Sequence, residues 1–443
     1  MKNIKLNIDT KIEIVFLFAV FLLYTIWAIV IPFGYCPDEL FRFKIPDYIY
    51  QFGKLPLGDD PYIMDKDWGI SYGFTPILSY MVSGALMKIT GLFSTTEFSL
   101  HLAARMASVF FSVGTAYFCI RIGKRIFSGI YAWMFVALVT LLPQFIFVSA
   151  YVNCDAICIF ASAWIIYALI IGNDSRWNCK NCIFLGAGIG IALLSYYNVY
   201  GIVLMAAVFA VFTVLFDKEI NKKGIFLIKR IFWVMLAAFI VAGWWFIRSY
   251  IVYDGDILGL NASRKCGELY AIESLKPHNR QTPNNMGYSL GYMLIEKKWI
   301  QYTVESFIAK FGWFSVVIAS GYYLIIKILI VTGLVGNIFV NKVGEVYQIK
   351  QKILFNLMLL GGIILTIGIS IYYSYFNDFQ PQGRYCLPMW ISLSILVTSG
   401  LGAIVKIFPQ KVRKTLLAIL FLVCFWIAMS ALYQSILGEY YSI

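Results

Sequence analysis

Two carboxylates and an arginine stand close together in "PDELFRF", residues 37–43: Asp38, Glu39 and Arg42. Far along the chain, "QPQGRYCLP", residues 380–388, presents Arg384. A carboxylate can take the proton of an attacking hydroxyl, and a guanidinium fork can hold a phosphate through two parallel hydrogen bonds. Together they are the equipment for transfer from a phosphate-linked donor to a hydroxyl, the arginine stabilising the departing phosphate. Adjacent residues near a helix end point about 100° apart, so Asp38 and Glu39 cannot both face one cavity. We expect one to be the base and the other a structural partner. Asp38 is favoured as the base, because it is first to emerge after Pro37 and one turn from Arg42, which keeps it ionised.

Two more arginines join the argument once the elements that carry them are placed. The chain is 60% hydrophobic and only 13% charged, far below the roughly one-quarter charged content of soluble domains. Its 30 Tyr and 12 Trp suit many ring-rich helix ends at the headgroup level of a bilayer. The composition therefore reads as an all-α, polytopic membrane protein. The net charge of +13 does not point to nucleic acid, since the basic residues fall in short clusters between apolar runs and read as topology signals. The run 12–32 is too long for a signal-peptide core and has no small-residue cleavage site, so it is read as the first span.

A window of about 20 residues per span, with Lys and Arg kept inside, gives about eleven helices. After the first span the chain stays outside over 33–100, with an interfacial segment near 71–91. The next spans are 101–122, 127–150, 156–171, 183–197, one beginning near 199, and 231–250. A second long external segment covers 253–313. The last four spans are 315–340, 353–375, 385–405 and 416–437. Arg121, Lys124 and Arg125, then Arg176 and Lys180, then Lys218, Lys222, Lys223, Lys229 and Arg230 mark inside loops. Lys342, Lys350 and Lys352, and finally Lys406, Lys411, Arg413 and Lys414, do the same. In this topology Arg42, Arg105, Arg248 and Arg384 gather at the outer edge, the wrong face for a positive-inside signal and a fitting one for a phosphate. The whole chain, 1–443, reads as one transmembrane domain without repeats.

Other signals carry less. Nine cysteines, mostly inside apolar runs, read as buried hydrophobes, and Cys179 with Cys182 as an incidental loop pair. "GAGIG", residues 186–190, lies inside a span with no strand before it and reads as close helix packing. His101 and His278 have no partner that would make a triad. Lys327 inside a span either reaches a functional cavity or snorkels to the interface. "DKD" at 65–67 and "DGD" at 254–256 offer hard oxygen ligands, though short acidic turns are usually only solvated.

The order of a span, an external loop opening with an acidic pair, "GFTPILSYMVSGALMKITG" and "EFSLHLAARMASVFFSVGTAYFCIRIGKRIF" resembles the GT-C superfamily of membrane glycosyltransferases, which use polyprenyl-phosphate sugars. Within it, "PDELFRF", "GWWFIRSYIVYDGDILG", "ESFIAKFGWF" and "QGRYCLP" are most similar to a large group of bacterial membrane proteins with an acidic pair after a proline and a Q-G-R-Y turn. The resemblance implies a GT-C-like fold. It also implies transfer of a sugar from a polyprenyl-phosphate donor to a glycan, lipopolysaccharide or other lipid-linked acceptor of the cell envelope, at the external face of a bacterial inner membrane. Carried over, Asp38 or Glu39 is the catalytic carboxylate, Arg384 meets the donor phosphate and Arg248 with Asp256 lines the pocket; Arg248, Arg42 and Arg105 are further phosphate candidates from their place at the outer edge. Asp155, Asp256, Gln382 and Tyr385 line the substrate pocket, Asp155 standing where the superfamily often has a second external acid or else acting as a helix N-cap. Where the group commonly has a histidine three residues after the glutamate, this chain has Arg42. No resident cofactor is expected, and a divalent metal is left open, as some GT-C enzymes need one. The competing classes are a flippase or transporter of lipid-linked glycans, and a polysaccharide polymerase or ligase. Neither explains an acid pair directly after the first span as well.

The topology predicts that cysteines introduced at 38, 276 and 377, in a background without native cysteines, react with impermeant reagent in intact cells while those at 222 and 411 do not. Labelling at 222 without labelling at 276 would reverse the parity.

Overall fold

In the computed structural model the described residues are 8–339 and 349–441. The N-terminal residues 1–7, residue 340 at the end of an expected span, and Lys342 lie outside them. The chain forms helices α1 (Ile8–Val30), α2 (Glu39–Phe52), α3 (Leu78–Gly91), α4 (Glu97–Ile126), α5 (Ile130–Thr140), α6 (Pro143–Val148), α7 (Asp155–Asp174), α8 (Cys179–Leu193), α9 (Tyr200–Phe216) and α10 (Lys223–Val252). There follow α11 (Leu260–Tyr270), α12 (Leu290–Ile295), α13 (Trp299–Ala309), α14 (Ser320–Gly336), α15 (Lys352–Phe376), α16 (Trp390–Val405) and α17 (Gln410–Ser430), which continues through a π-helical stretch, Ala431–Leu437. The expected all-α class holds, apart from a two-residue antiparallel pairing of Lys310–Phe311 with Val316–Val317.

Among the described residues, nine helices are long and apolar enough to cross a membrane. The count of about eleven included two runs that form shorter apolar helices, Ile130–Thr140 and Cys179–Leu193. The run 127–150 is broken by Pro143, which has no N–H to donate and holds Leu142 in an extended conformation (ψ 121°) as it opens α6. The run expected at 231–250 begins earlier, at Lys223, so part of the basic cluster forms the first turns of α10 instead of a loop. The run expected at 101–122 likewise extends in both directions. Thr96 caps α4 by accepting from the Ser99 N–H, and Lys124 and Arg125 lie in its last turn, where a helix end favours cations.

Two kinds of apolar helix result. Helix α7 is buried nearly all round and forms the centre of the core with α4, α5 and α16. Helix α10 leaves Ile228, Met235, Phe239, Ile240 and Ile251 exposed, a surface that water would disfavour and lipid does not. The loops assigned to the basic face meet one another: Asn173 donates to the Lys350 carbonyl at 2.9 Å, Gln351 to that of Thr213 at 3.1 Å, and Arg125 pairs with Asp174 at 2.9 Å. At the opposite end of α4, the segments expected on the other face converge instead.

That convergence rests on a buried ion pair. Arg105 on α4 donates to both oxygens of Glu39 at 2.7 Å each, and also to the carbonyls of Ala28, Ile31 and Pro32 at 2.7, 2.6 and 3.2 Å. Glu39, fully buried, accepts in addition from the N–H groups of Gly34 and Val152. One bidentate pair thus ties the end of α1, the start of α2, the middle of α4's outer half and the turn before α7. Removing one partner from such a pair leaves an uncompensated buried charge, at a cost of about 3–5 kcal/mol. Glu39→Gln and Arg105→Ala are each expected to destabilise the protein by that order in detergent unfolding, and replacing both residues by Met to cost less than the two single losses combined. Single variants within about 0.5 kcal/mol of wild type would show that the pair does not hold these segments together.

Candidate functional site

Asp38 is the cap residue of α2 and sits in the left-handed region, φ 61° and ψ 6°. A non-glycine residue there carries backbone strain of about 1–2 kcal/mol, tolerated better by aspartate than by most residues. The turn gives the two neighbours different surroundings. Glu39 points into the Arg105 pair, whereas the Asp38 side chain stays 27% exposed. Its Oδ2 accepts from Arg384 Nη2 at 2.7 Å and from Arg42 Nη2 at 3.3 Å. Burial works to raise the Asp38 pKa, but the charges of Arg384 and then Arg42, with hydrogen bonds from Arg384 and Tyr72, outweigh it and hold the carboxyl at about 2.

Both arginines are buried. Arg42, 1% exposed, lies over the Tyr72 ring, donates to Cys154 Sγ at 3.5 Å and pairs with Asp155 at 3.7 Å. Arg384, 4% exposed, donates also to the hydroxyls of Tyr151 at 3.2 Å and Tyr385 at 3.1 Å. The Nε atoms of both remain without a hydrogen-bond partner, as does Asp155 Oδ2, which meets Arg42 only as an ion pair. Asp155 opens α7 after the N-cap position Cys154, and it is Asn153, one residue further back, whose Oδ1 accepts from the N–H groups of Asp155 and Ala156 at 2.8 and 2.9 Å. The helix thus leaves the Asp155 carboxylate free to face Arg42.

The Q-G-R-Y turn is fixed by close packing. A Cβ on Gly383 would come within 2.1 Å of the Phe307 N atom, so only glycine lets this turn lie against α13, where its own N–H donates to Ser306 Oγ at 2.8 Å. Gln382 keeps a buried Oε1 without a partner. Tyr385 donates to Gln380 Oε1.

The structure therefore brings together Asp38, Arg42, Asp155, Arg384 and Tyr385, with Gln382 in the adjoining turn. Arg105 is not among them: its fork is committed to Glu39 and three carbonyls. Arg248 donates to the Pro56 carbonyl at 2.8 Å and lies over Trp245, while Asp256 accepts from the Ala262 N–H at 2.9 Å. No contact joins either residue to Asp38 among the described residues. Asp256 lines a second cavity, about 480 Å³, with Asp59, Asp254, Asn261, Lys265 and Tyr270. Asp65 of "DKD" closes its own turn by accepting from the N–H groups of Asp67 and Trp68. Among the described residues, no group of three His, Cys, Asp or Glu side chains is placed to hold a metal ion. Cys179 and Cys182 begin α8 as free thiols, and His101 stacks on Phe33.

Sequence reasoning missed Tyr72, Tyr151, Asp378 and Gln380. The last two stand in "NDFQPQGR", directly ahead of Arg384, and an acid and amides in the same turn were the available signal. It also missed an apolar groove of about 410 Å³ between α13, α14, α15 and the start of α16. Trp299, Phe307, Ile330, Cys386 and Met389 line it, and among the described residues Lys327 is the one charged side chain on its wall.

Residues 76–245 match the family model described as dolichyl-phosphate-mannose-protein mannosyltransferase, a stretch that includes Arg105 and Asp155 but neither Asp38 nor Arg384. No curated protein matches the sequence. Among solved structures, ArnT from Cupriavidus metallidurans bound to undecaprenyl phosphate is 14% identical with a TM-score of 0.53, over 87% of this chain and 59% of that one. The oligosaccharyltransferase AglB of Archaeoglobus fulgidus, in complex with an inhibitory peptide and a dolichol-phosphate, is 12% identical with a TM-score of 0.51, over 95% of this chain and 56% of that one. An A. fulgidus oligosaccharyltransferase complex with Zn and sulfate gives 14% identity and a TM-score of 0.55, over 94% of this chain and 52% of that one. The chain thus shares the fold of these solved chains, and spans a little over half their length.

The strain at Asp38 is testable by itself. Asp38→Gly is expected to unfold later than Asp38→Ala by about 1 kcal/mol, because both lose the carboxylate and only glycine accepts the backbone angle freely. Equal stabilities would remove the strain.

Proposed function

We propose that this chain is a glycosyltransferase that moves a sugar from a polyprenyl-phosphate donor to a glycan or lipid-linked acceptor of the cell envelope. The site would open at the outer face of a bacterial inner membrane. The observation that carries the reading is the clamp of two buried arginines around one part-exposed carboxylate. The groove that begins beside Cys386 and Met389, within two turns of Arg384, supports it by offering an apolar berth for a lipid chain.

The chemistry follows from the clamp. A phosphate on Arg384 and Arg42 takes over hydrogen bonds that Asp38 now holds. A carboxylate with a pKa near 2 is a weak base, and neutralising the arginines beside it raises that pKa and strengthens it. The acceptor hydroxyl attacks the anomeric carbon opposite the phosphate and inverts it. Its oxygen bonds to that carbon, its proton passes to Asp38, and the carbon–oxygen bond to phosphate breaks, leaving polyprenyl phosphate on the guanidinium groups. The reaction is proposed without a divalent ion. The nearest carboxylates, Asp38 and Asp155, flank Arg42, and two guanidinium groups would repel a second cation.

Arg384→Ala is expected to slow transfer by about 30- to 1000-fold, or 2–4 kcal/mol, with Arg384→Lys recovering only part. Asp38→Asn should abolish transfer yet bind undecaprenyl phosphate more tightly than wild type, since the competing anion is gone. Transfer from a radiolabelled polyprenyl-phosphate sugar and binding of undecaprenyl phosphate measure the two effects. An Arg384→Ala protein working within twofold of wild type, or an active Asp38→Asn protein, would defeat the mechanism.

A further inference from the structure

The hydrogen bonds around Asp38 continue to a second carboxylate. Arg384 Nη2, which donates to Asp38, also donates to the Tyr385 hydroxyl at 3.1 Å; that hydroxyl donates to Gln380 Oε1, and Gln380 Nε2 donates to Asp378 Oδ2. Each proton in the chain has a defined direction, so Asp378 stands at its end purely as an acceptor, held at a fixed remove from Asp38 by three side chains. The two acids differ in company. Asp38 lies between two guanidinium groups, whereas Asp378 bonds to a neutral amide and has one positive charge near it, Arg280, which itself donates to the Leu275 carbonyl and lies over Trp68. Burial holds the Asp378 carboxyl above the usual range against Gln380 and Arg280, and the charge of Asp38 adds to the rise.

A row of tyrosine rings stands beside this chain. Tyr385 lies 6.3 Å from Tyr196, Tyr196 is 4.0 Å from Tyr197, and Tyr197 stacks on Tyr373 at 5.6 Å with the planes 29° apart. Rings of this kind suit a ligand with apolar faces, and a carboxylate with unused lone pairs suits a ligand rimmed with hydroxyl donors. A sugar has both. A phosphate does not suit Asp378, since it would meet a like charge with a single arginine near it.

Resting on the transferase reading above, we infer that Asp378 reads the hydroxyl groups of the transferred sugar, and so is a specificity-determining residue on the sugar side of the Asp38 clamp. Gln380 and Tyr385 position it. Hydrogen bonds from a neutral donor to a charged acceptor are worth about 10- to 100-fold in binding when their loss leaves the acceptor buried.

The experiment compares purified wild type with Asp378→Asn, Gln380→Ala and Arg384→Ala for binding of bare undecaprenyl phosphate and of undecaprenyl-phosphate-linked glucose, mannose and arabinose. Wild type is expected to hold at least one glycosylated lipid about tenfold or more tighter than the bare one. Asp378→Asn should lose that preference while binding bare lipid within about twofold of wild type, which also shows that it is folded. Gln380→Ala should lose part of the preference, and Arg384→Ala should weaken every lipid alike. An Asp378→Asn protein that keeps the preference, or that weakens bare and glycosylated lipid equally, overturns the inference. So does a wild type that binds bare lipid but prefers none of the three sugars. A wild type that binds no lipid, or an Arg384→Ala protein that binds all of them normally, overturns the transferase reading and the inference with it.

Discussion

The site depends on the burial of guanidinium groups in a place where each must find an anion. Arg105, Arg42 and Arg384 are almost wholly removed from solvent, and the desolvation of a charge is tolerated only where paired oxygens replace water. Arg105 has a complete set, one carboxylate and three carbonyls, and its partner Glu39 is complete as well. Arg42 and Arg384 do not. They share Asp38, and each keeps a buried Nε without a partner. The satisfied pair holds the fold, and the under-satisfied pair is left with binding capacity.

Adjacency makes this division possible. Asp38 and Glu39 are neighbours in sequence, yet the left-handed turn at Asp38 sends one side chain to α4 and the other to the turn before α16. The Glu39 pair pins the start of α2, so Asp38 has little freedom to relax out of its strained backbone. Strain of this kind persists only where surroundings over-determine it, and here the surroundings are a bidentate ion pair one residue away. Pre-organisation of the carboxylate is therefore a by-product of the pair that closes the fold.

The long polar segments are not loops in the ordinary sense. Helix α2 packs on α3 and α3 on α4, and α13 packs against the Q-G-R-Y turn so tightly that Gly383 admits no side chain. Rigid elements of this kind place polar groups more accurately than free loops do. They also put the apolar groove beside the turn that carries Arg384.

The sequence by itself determined the all-α membrane class, most of the spans, and the turning of the Asp38 and Glu39 side chains into different surroundings, because hydropathy and helical geometry are local properties. It also picked out Arg384 and Arg42, whose company in "PDELFRF" and "QGRYCLP" is visible within a few residues. Pro143 was equally visible, and its power to end a helix was not given its weight. What sequence could not supply was the commitment of each arginine. Arg105 and Arg248 look like Arg384 on paper, since a guanidinium at a helix end has the same chemistry wherever it stands. Only the tertiary structure shows that Ala28, Ile31 and Pro32 claim the first and Pro56 the second. Asp256 was grouped with the residues around Asp38 but lines a separate cavity, and Asp378 was passed over because its path to Asp38 runs through Gln380, Tyr385 and Arg384, a set of bonds that exists only once the turn is folded against α13. Which partner a polar group has is decided by distance in space, and that distance is set by packing between elements far apart in the chain.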